Sequence, residues 1–180
     1  MFGINLETEN FYLKDFDLKY AEDIFEGCVS QKDVMKFLNF EPYTDLNAYK
    51  NFMQNTIDRI KQKNNLEYRW LIIPKKQDIA IGIISANEYD LRYKLGYYIR
   101  KSYQGKGVMT EVMKYIIQYL FSIGVETVFS IHDIENIASG KLMDKCGMKQ
   151  IAVVNNHTIR LGFENRTMIT KAIYRGEKAL

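Results

Sequence analysis

The most constraining feature of the sequence is one strongly amphipathic helix. Its apolar side chains recur every four residues on two adjacent stripes, which are Val108, Val112, Ile116 and Leu120, and Met109, Met113, Ile117 and Phe121. Residues with this spacing share one face of an α-helix, so the two stripes form a broad apolar surface that must be buried. Gly124 follows as a residue suited to the helix C-terminus. The pattern predicts a domain in which this helix packs against another layer.

Other periodicities predict the order of the remaining elements. Before the helix, the sequence predicts a strand at 10–14, a helix capped by Asp17, a short helix at 31–38, a longer helix opened by Thr44, and strands at 68–74, 78–86 and 93–100. The first two of those three strands are joined by a hairpin at 75–77. After the helix come a strand at 125–132, a helix at 136–146, a strand at 150–154, a polar loop at 155–166 and a strand at 167–174. This mixed order predicts an α/β (mixed α+β) fold in one domain spanning 1–180.

Composition argues against several other classes of protein. The net charge of +3 is too small to predict nucleic-acid binding by itself. Cys28 and Cys146 are far apart, as are His132 and His157, so no metal-binding spacing exists and no metal is expected. The N-terminus has no basic stretch before an apolar run, and no apolar run is long enough to span a bilayer. We therefore expect a soluble, cytoplasmic protein without a nucleic-acid or membrane partner.

A glycine-containing loop precedes the amphipathic helix and follows a strand. Gly105 and Gly107 stand just before Val108, where the helix begins. Backbone N–H groups at a helix N-terminus attract anions, and glycine lets them approach a phosphate closely. The P-loop spacing is absent, and Thr110 occupies the third glycine position of the dinucleotide fingerprint. The loop alone leaves two interpretations open: a phosphate site, or only a tight strand-to-helix turn.

Several motifs together resemble one family. The run from Gln104 to Met109 resembles the Gln/Arg-x-x-Gly-x-Gly/Ala signature of the GNAT superfamily of N-acetyltransferases. Asn136-Ile137-Ala138-Ser139, followed by Lys145-Cys146-Gly147-Met148, is similar to a segment of the branch that acetylates the N-termini of ribosomal proteins. The segments 33–38, 41–44 and 81–83 fit the same pattern. The resemblance implies a central mixed, splayed sheet of about seven strands flanked by helices, with acetyl-CoA between the central strands.

The resemblance also implies roles for individual residues. The backbone amides of the loop and first helical turn would hold the pyrophosphate, and these belong to Gly105, Lys106, Gly107, Val108, Met109 and Thr110. Gln104 begins that loop, while Ile99 and Arg100 would pair with the pantetheine arm and a backbone N–H near Ile99 would polarise the acetyl carbonyl. Asn136 would touch the pantetheine or the acetyl end. Lys101, Lys106 and Lys141 would attract the nucleotide phosphates, or else form a solvated surface.

Two positions depart from the family pattern. Met109 stands where glycine or alanine is usual, and we expect its side chain on the apolar face of the helix, away from the phosphates. Met143 replaces the tyrosine that protonates the leaving thiolate in many members. Ser139 is the candidate for that role, unless it only caps its own helix. For the general base we choose Glu88, which with Asp90 is expected in the turn before the motif strand.

These inferences lead to one main functional hypothesis and two alternatives. The main hypothesis is transfer of the acetyl group of acetyl-CoA to a primary amine by direct attack in a ternary complex. The alternatives are an acyl-CoA-binding module without turnover and a nucleotide enzyme that uses the loop for ATP. A protein N-terminus, a polyamine, an amino sugar and an antibiotic all remain open as acceptors. The segment 30–65 is predicted to form a substrate lid walled by Phe37, Phe40 and Tyr43, in a monomer or a homodimer.

Overall fold

A computed structural model describes residues 4–62, 67–157 and 166–177. The strands of this part are β1 (Leu6–Glu7), β2 (Phe11–Asp15), β3 (Glu67–Pro74), β4 (Gly82–Tyr89), β5 (Arg92–Ile99), β6 (Thr127–Asp133), β7 (Lys149–His157) and β8 (Arg166–Tyr174). The α-helices are α1 (Ala21–Ile24), which continues as a π-helical segment (Phe25–Val29), α2 (Lys32–Met35), α3 (Leu46–Gln62), α4 (Val108–Ser122) and α5 (Ile137–Lys145).

The strands form one sheet in the order β1-β2-β3-β4-β5-β6-β8-β7. Antiparallel pairing joins β1 to β2, β2 to β3, β3 to β4, β6 to β8 and β7 to β8. β5 and β6 pair in parallel, with a register that runs from Tyr93–Val128 to Leu95–Ser130. The predicted mixed sheet flanked by helices is therefore confirmed. It has eight strands instead of about seven, because the two-residue strand β1 is too short to produce a periodicity.

The chain divides into two compact units, and β5 contributes to both. The first unit comprises Met1–Lys36, Glu41–Asn87 and Gly96–Val108. The second unit comprises Phe37–Phe40, Glu88–Leu95 and Met109–Leu180. The expectation of a single domain over 1–180 stays a prediction.

In the first unit, α3 buries the face that its sequence pattern predicts. Tyr49, Met53, Ile57 and Ile60 are buried along this helix. The helix begins at Leu46, later than the expected start at Thr44, because Asp45 is its cap. The Asp45 carboxylate accepts hydrogen bonds from the N–H groups at positions 47 and 48, at 3.0 and 3.2 Å. The short helix expected at 31–38 is limited to α2.

In the second unit, the apolar stripes of α4 are buried as predicted, except that Phe121 is half-buried. The residues of its central turns are inaccessible to solvent, and these are Val112, Met113, Ile116, Ile117 and Leu120. Gly124 has φ +97°, which is the left-handed conformation expected of a residue that ends a helix. The same unit contains α5 and strands β6, β7 and β8.

Several boundaries differ from the sequence-based expectations. β4 begins at Gly82 instead of residue 78 and extends to Tyr89, so the turn to β5 is made by Asp90 and Leu91, with φ 50° and 63°. β7 extends to His157, and the rest of the polar loop expected at 155–166 lies outside the described residues apart from Arg166, which begins β8.

Within the described ranges, every helix is too short or too polar to cross a lipid bilayer.

Candidate active site

The segment between β5 and α4 forms an exposed loop whose backbone requires glycine at two positions. A short 3₁₀ turn (Lys101–Tyr103) comes first, and Gln104 leads into the glycines. Gly105 and Gly107 have φ +71° and +81°, a conformation that costs other residues roughly 1–2 kcal/mol. A Cβ at either glycine would meet no atom within 4 Å. The glycines are therefore required by the backbone conformation, and open space adjoins the loop.

The loop presents backbone donors that the protein itself does not use. In the described part of the chain, no hydrogen bond involves the N–H groups of Gly105, Lys106 or Gly107. The first N–H groups of α4, from Val108 onward, lack intrahelical partners as in any helix. These donors and the positive end of the helix dipole form an arrangement suited to an anion.

The first turn of α4 directs its side chains into the protein. Val108 and Met109 are buried, with 6% and 9% of their surface exposed. The expectation that Met109 lies on the apolar face is confirmed. The large side chain at this family position is therefore directed away from the loop.

The end of β5 is held by hydrogen bonds within the first unit. The Arg100 N–H donates to the Ile81 carbonyl at 2.7 Å, and the Arg100 carbonyl accepts from the Tyr103 N–H at 2.9 Å. The side-chain amide of Gln104 donates to the Ile99 carbonyl at 3.3 Å. Because successive N–H groups of a strand point to opposite edges, the N–H of Ile99 points away from β4.

The side chain of Arg100 points into the first unit, where sequence reasoning did not place it. Its Nη2 donates to the Asp23 carbonyl at 2.9 Å, and its Nε is buried without a partner among the described residues. A Cβ at Gly27 would overlap this guanidinium, so a larger residue there would have to displace the Arg100 side chain. The backbone N–H and the carbonyl of Arg100 both have hydrogen-bond partners within the protein. The implied pairing of Arg100 with pantetheine stays a prediction.

Two contacts tie the loop to neighbouring elements of the first unit. Lys101 Nζ lies 2.5 Å from Asp33 Oδ2 of α2, and the Tyr103 hydroxyl donates to Gln77 Oε1 at 2.9 Å. The lysine pairing lowers the pKa of Asp33 from its ordinary value. Lys106 is exposed, with Nζ 5.7 Å from the centroid of the Tyr103 ring. Lys106 is thus an exposed basic side chain of the loop without a carboxylate partner among the described residues.

Asn136 and Ser139 lie at the start of α5, in the second unit. The Asn136 side chain accepts a hydrogen bond from the Ser139 N–H at 3.1 Å, so Asn136 is the helix cap. Met143 is fully buried on the same helix. Lys141 is exposed there.

An ion pair precedes this helix, and no local pattern in the sequence indicates it. The Asp133 side chain is 1% exposed; its Oδ2 accepts from Arg166 Nη1 and its Oδ1 from the Glu135 N–H, at 2.9 and 2.8 Å. Asp133 also accepts the Asn136 N–H at its carbonyl, at 2.9 Å. The pair joins β6 to β8, strands that are distant in sequence, and fixes the turn from which α5 starts.

The expected positions of the acidic and aromatic candidates are only partly observed. Glu88 is a half-buried residue of β4 and does not lie in a turn, so that expectation is wrong. Asp90 is the turn residue, with a side chain 94% exposed and 3.7 Å from Arg92. Phe37 and Phe40 belong to the second unit and Tyr43 to the first.

The thiols and metal-binding residue types do not form a reactive group. Burial raises the pKa of Cys28 to about 12 and that of Cys146 to about 11. Both thiols are therefore protonated at neutral pH. Within the described ranges, no three His, Cys, Asp or Glu side chains are arranged to hold a metal ion.

Comparison with known proteins gives concordant results. The family described as Acetyltransferase (GNAT) domain matches residues 10–149. The uncharacterized N-acetyltransferase p20 of Bacillus licheniformis is 27% identical over 158 residues, which cover 84% of this chain and 86% of p20. An acetyltransferase of the GNAT family from Bacillus anthracis superposes with a TM-score of 0.85 at 21% identity, covering 97% of this chain and 100% of that one. RimL, a ribosomal L7/L12 acetyltransferase in complex with coenzyme A, superposes with a TM-score of 0.84 at 15% identity, covering 95% and 98%.

Proposed function

The chain belongs to the GNAT acetyltransferase family, and on this premise we propose that it transfers the acetyl group of acetyl-CoA to a primary amine. The observation that carries the proposal is the loop before α4, whose two glycines have positive φ and whose N–H groups at Gly105, Lys106 and Gly107 have no partner among the described residues. Acetyl-CoA supplies an acetyl group activated as a thioester. The remaining chemistry belongs to side chains and backbone groups of this chain.

The residues of the loop fit a pyrophosphate. The N–H groups from Gly105 to Thr110 would donate to its oxygens, and the N-terminus of α4 adds a favourable dipole worth about 0.3–1 kcal/mol for each interaction. Lys106 is an exposed cation within the loop. Lys101 already has Asp33 as a partner, so it would contribute less charge to the nucleotide.

The end of β5 would orient the acetyl group. The N–H of Ile99 points to the edge away from β4, where it would donate to the acetyl carbonyl as negative charge develops on that oxygen. Gln104 donates to the Ile99 carbonyl at 3.3 Å, in the next peptide along the chain, and so helps to hold the end of β5. Removal of a single oxyanion donor in other enzymes costs about 10²–10³ in rate.

Ser139, Asn136 and Glu88 would complete the site. Asn136 would contact the pantetheine or the acetyl end, Ser139 would donate a proton to the leaving sulfur, and Glu88 would accept a proton from the attacking amine, directly or through water. The acceptor is a primary amine, either a peptide N-terminus or a small molecule, and attack is direct in a ternary complex. Neither thiol would carry an acyl group, since both are buried and protonated.

A second candidate function is binding of acyl-CoA without turnover. Met143 motivates it, because a buried methionine stands where many family members have a tyrosine acid. Release of free thiol from acetyl-CoA in the presence of an amine distinguishes an enzyme from a binding module. An ATP-dependent enzyme is distinguished by competition between ATP and acetyl-CoA.

The first test is the melting temperature with and without excess acetyl-CoA. At a ligand concentration of a hundred times Kd, binding adds about 2.7 kcal/mol to the free energy of unfolding. For a chain of this length the expected increase in Tm is about 5–10 °C. ATP at the same concentration should give no increase. Absence of a shift with acetyl-CoA would contradict the assignment of the loop, and a shift without thiol release from any amine would favour the binding module.

A further inference from the structure

Three aromatic rings form a cluster in the first unit. Tyr43, Tyr49 and Phe52 have ring centroids 5.2 to 6.0 Å apart, with Tyr43 against Tyr49 edge to face. Tyr49 is fully buried, while Tyr43 and Phe52 are partly exposed. The backbone N–H of Tyr43 donates to the Val29 carbonyl at 2.9 Å, which holds the loop before α3 against the end of the π-helical segment. The cluster therefore has a buried base and an accessible rim.

An arginine with unused donors lies at the rim of this cluster. Arg59 binds Glu67 through two hydrogen bonds of 3.0 and 2.9 Å, and Arg69 reaches the same carboxylate only through Nε, at 2.6 Å. The Cζ of Arg69 lies 5.9 Å from the centroid of the Phe52 ring. In the described part of the chain no hydrogen bond involves either Nη group of Arg69. Two arginines share one carboxylate, so the group carries an excess positive charge.

The base of the cluster contains a polar group that lacks a partner. The Tyr49 hydroxyl is buried and makes no hydrogen bond with any described residue. Burial raises the pKa of this hydroxyl above its ordinary range, and the neighbouring Tyr98 hydroxyl raises it further. A buried hydroxyl left unsatisfied costs about 1–3 kcal/mol.

Tyr98 connects this cluster with the end of β5. It precedes Ile99, and Arg69 lies near enough to influence the pKa of both Tyr98 and Tyr43. Arg69 and Ser85 are opposite each other in the β3–β4 pair, so they share one face of the sheet. An aromatic wall, an unsatisfied hydroxyl and a fork of free N–H donors are thus grouped on one face of the first unit.

We propose that Arg69 binds an oxyanion group of the acceptor, so that the preferred acceptor is an amine that also carries a carboxylate or a phosphate. The inference rests on the proposed acetyl transfer and names the acceptor class that this function leaves open. A guanidinium presents two parallel N–H groups that match both kinds of oxyanion. The same excess positive charge disfavours a polyamine, because a second ammonium would lie beside two guanidinium groups that share one carboxylate.

The test uses acceptors that differ only in the group opposite the amine. The series consists of ω-amino carboxylates, ω-amino alkyl phosphates, ω-amino amides and α,ω-diamines, matched in chain length. The rate of thiol release from acetyl-CoA gives kcat/KM for each. We expect an oxyanion-bearing acceptor to exceed the amide and diamine of equal length by about 10- to 100-fold. Comparison of the carboxylate and phosphate series identifies which oxyanion is preferred.

Variants of Arg69 separate recognition from folding. Arg69→Gln should remove the preference for the oxyanion while the protein remains folded, because Glu67 retains both hydrogen bonds to Arg59. Arg69→Lys should retain part of the preference for the oxyanion, because lysine keeps the positive charge but lacks the two parallel N–H donors of a guanidinium. Arg175→Gln is the matched control, because Arg175 is also paired with a carboxylate, Glu126, but lies in the second unit.

The outcomes distinguish this inference from the function on which it rests. A wild-type enzyme that prefers diamines or amides, or an Arg69→Gln variant that keeps the oxyanion preference, would overturn the inference and leave acetyl transfer intact. Turnover of none of the amines, with a normal Tm increase by acetyl-CoA, would instead overturn the proposed function together with the inference.

Discussion

Asn136 and Ser139 are joined by a hydrogen bond in which the side-chain oxygen of Asn136 accepts the backbone N–H of Ser139 at 3.1 Å. The Asn136 N–H in turn donates to the Asp133 carbonyl at 2.9 Å. Capping of α5 is therefore performed by Asn136, and Ser139 is the capped residue. The sequence pattern alone left the identity of the cap open, since a serine in the first turn is often the cap itself.

The first prediction concerns these two residues. Ser139→Ala should lower kcat about 100-fold or more, because its hydroxyl is the proposed proton donor to the leaving sulfur, with little change in Tm because the cap remains. Asn136→Ala should lower Tm by roughly 2–4 °C through loss of about 1 kcal/mol of capping. Steady-state thiol release and thermal unfolding measure the two effects. A Ser139→Ala enzyme with wild-type kcat would exclude the serine as the proton donor.

The second prediction concerns the loop glycines. Gly107→Val should weaken acetyl-CoA binding at least about tenfold, because a β-branched residue does not accept φ +81° and the loop must change conformation. Gly124→Val is the matched control: it has φ +97° and equally open surroundings at the far end of α4. Both variants should lose stability, but only the first should lose affinity in calorimetric titration. Equal affinities in the two variants would show that the loop does not bind the cofactor.

The third prediction tests Glu88 as the general base. Glu88→Gln should reduce kcat/KM by about 10²–10⁴, because the amide cannot accept the proton of the attacking amine. Asp90→Asn is the control, since its side chain is 94% exposed and asparagine accepts its φ of 50°. The Asp90 variant should be fully active. An active Glu88→Gln enzyme would assign proton acceptance to solvent or to another group.

Features that depend on local sequence were predictable. The stripes of α4, the start of α5 at Asn136 and the glycine ends of both helices follow from spacing within one or two turns. The mixed order of elements was sufficient to indicate a mixed sheet. The exposed glycine loop could be located because a strand, two glycines and a helix are adjacent in the chain.

Features that depend on distant residues were not predictable. Asp133 and Arg166 meet because β6 pairs with β8, and Arg69 and Phe52 meet because α3 lies on the face of β3 that carries Arg69. Neither pair is indicated by a spacing in the sequence. The turn at Asp90 was expected, but it was placed over too many residues because Asp90 and Leu91 are both non-glycine with positive φ, and Glu88 was misplaced in it.

The fourth prediction concerns the two buried thiols and alkaline pH. Burial raises the pKa of Cys28 from 9.0 to about 12 and that of Cys146 from 9.0 to about 11. Between pH 9 and these values the unfolded chain loses a thiol proton that the folded chain keeps. The unfolded state then binds fewer protons, so the free energy of unfolding falls as pH rises through this range. For each thiol the fall is about 1.4 kcal/mol per pH unit between its unfolded and folded pKa values.

Chemical denaturation at intervals from about pH 7 to pH 11 measures this dependence, and alanine variants isolate it from the titration of tyrosines and lysines. Cys28→Ala should be less stable than the wild type near neutral pH, because it loses packing in a fully buried position. Its stability should nevertheless decline less steeply above the ordinary thiol pKa, and Cys146→Ala should show the same difference over a narrower range. Parallel curves for the wild type and both variants would mean that neither thiol contributes to alkaline unfolding. Native-state labelling with a thiol reagent under mildly alkaline conditions should likewise be slow in the wild type, since neither sulfur is exposed or ionised.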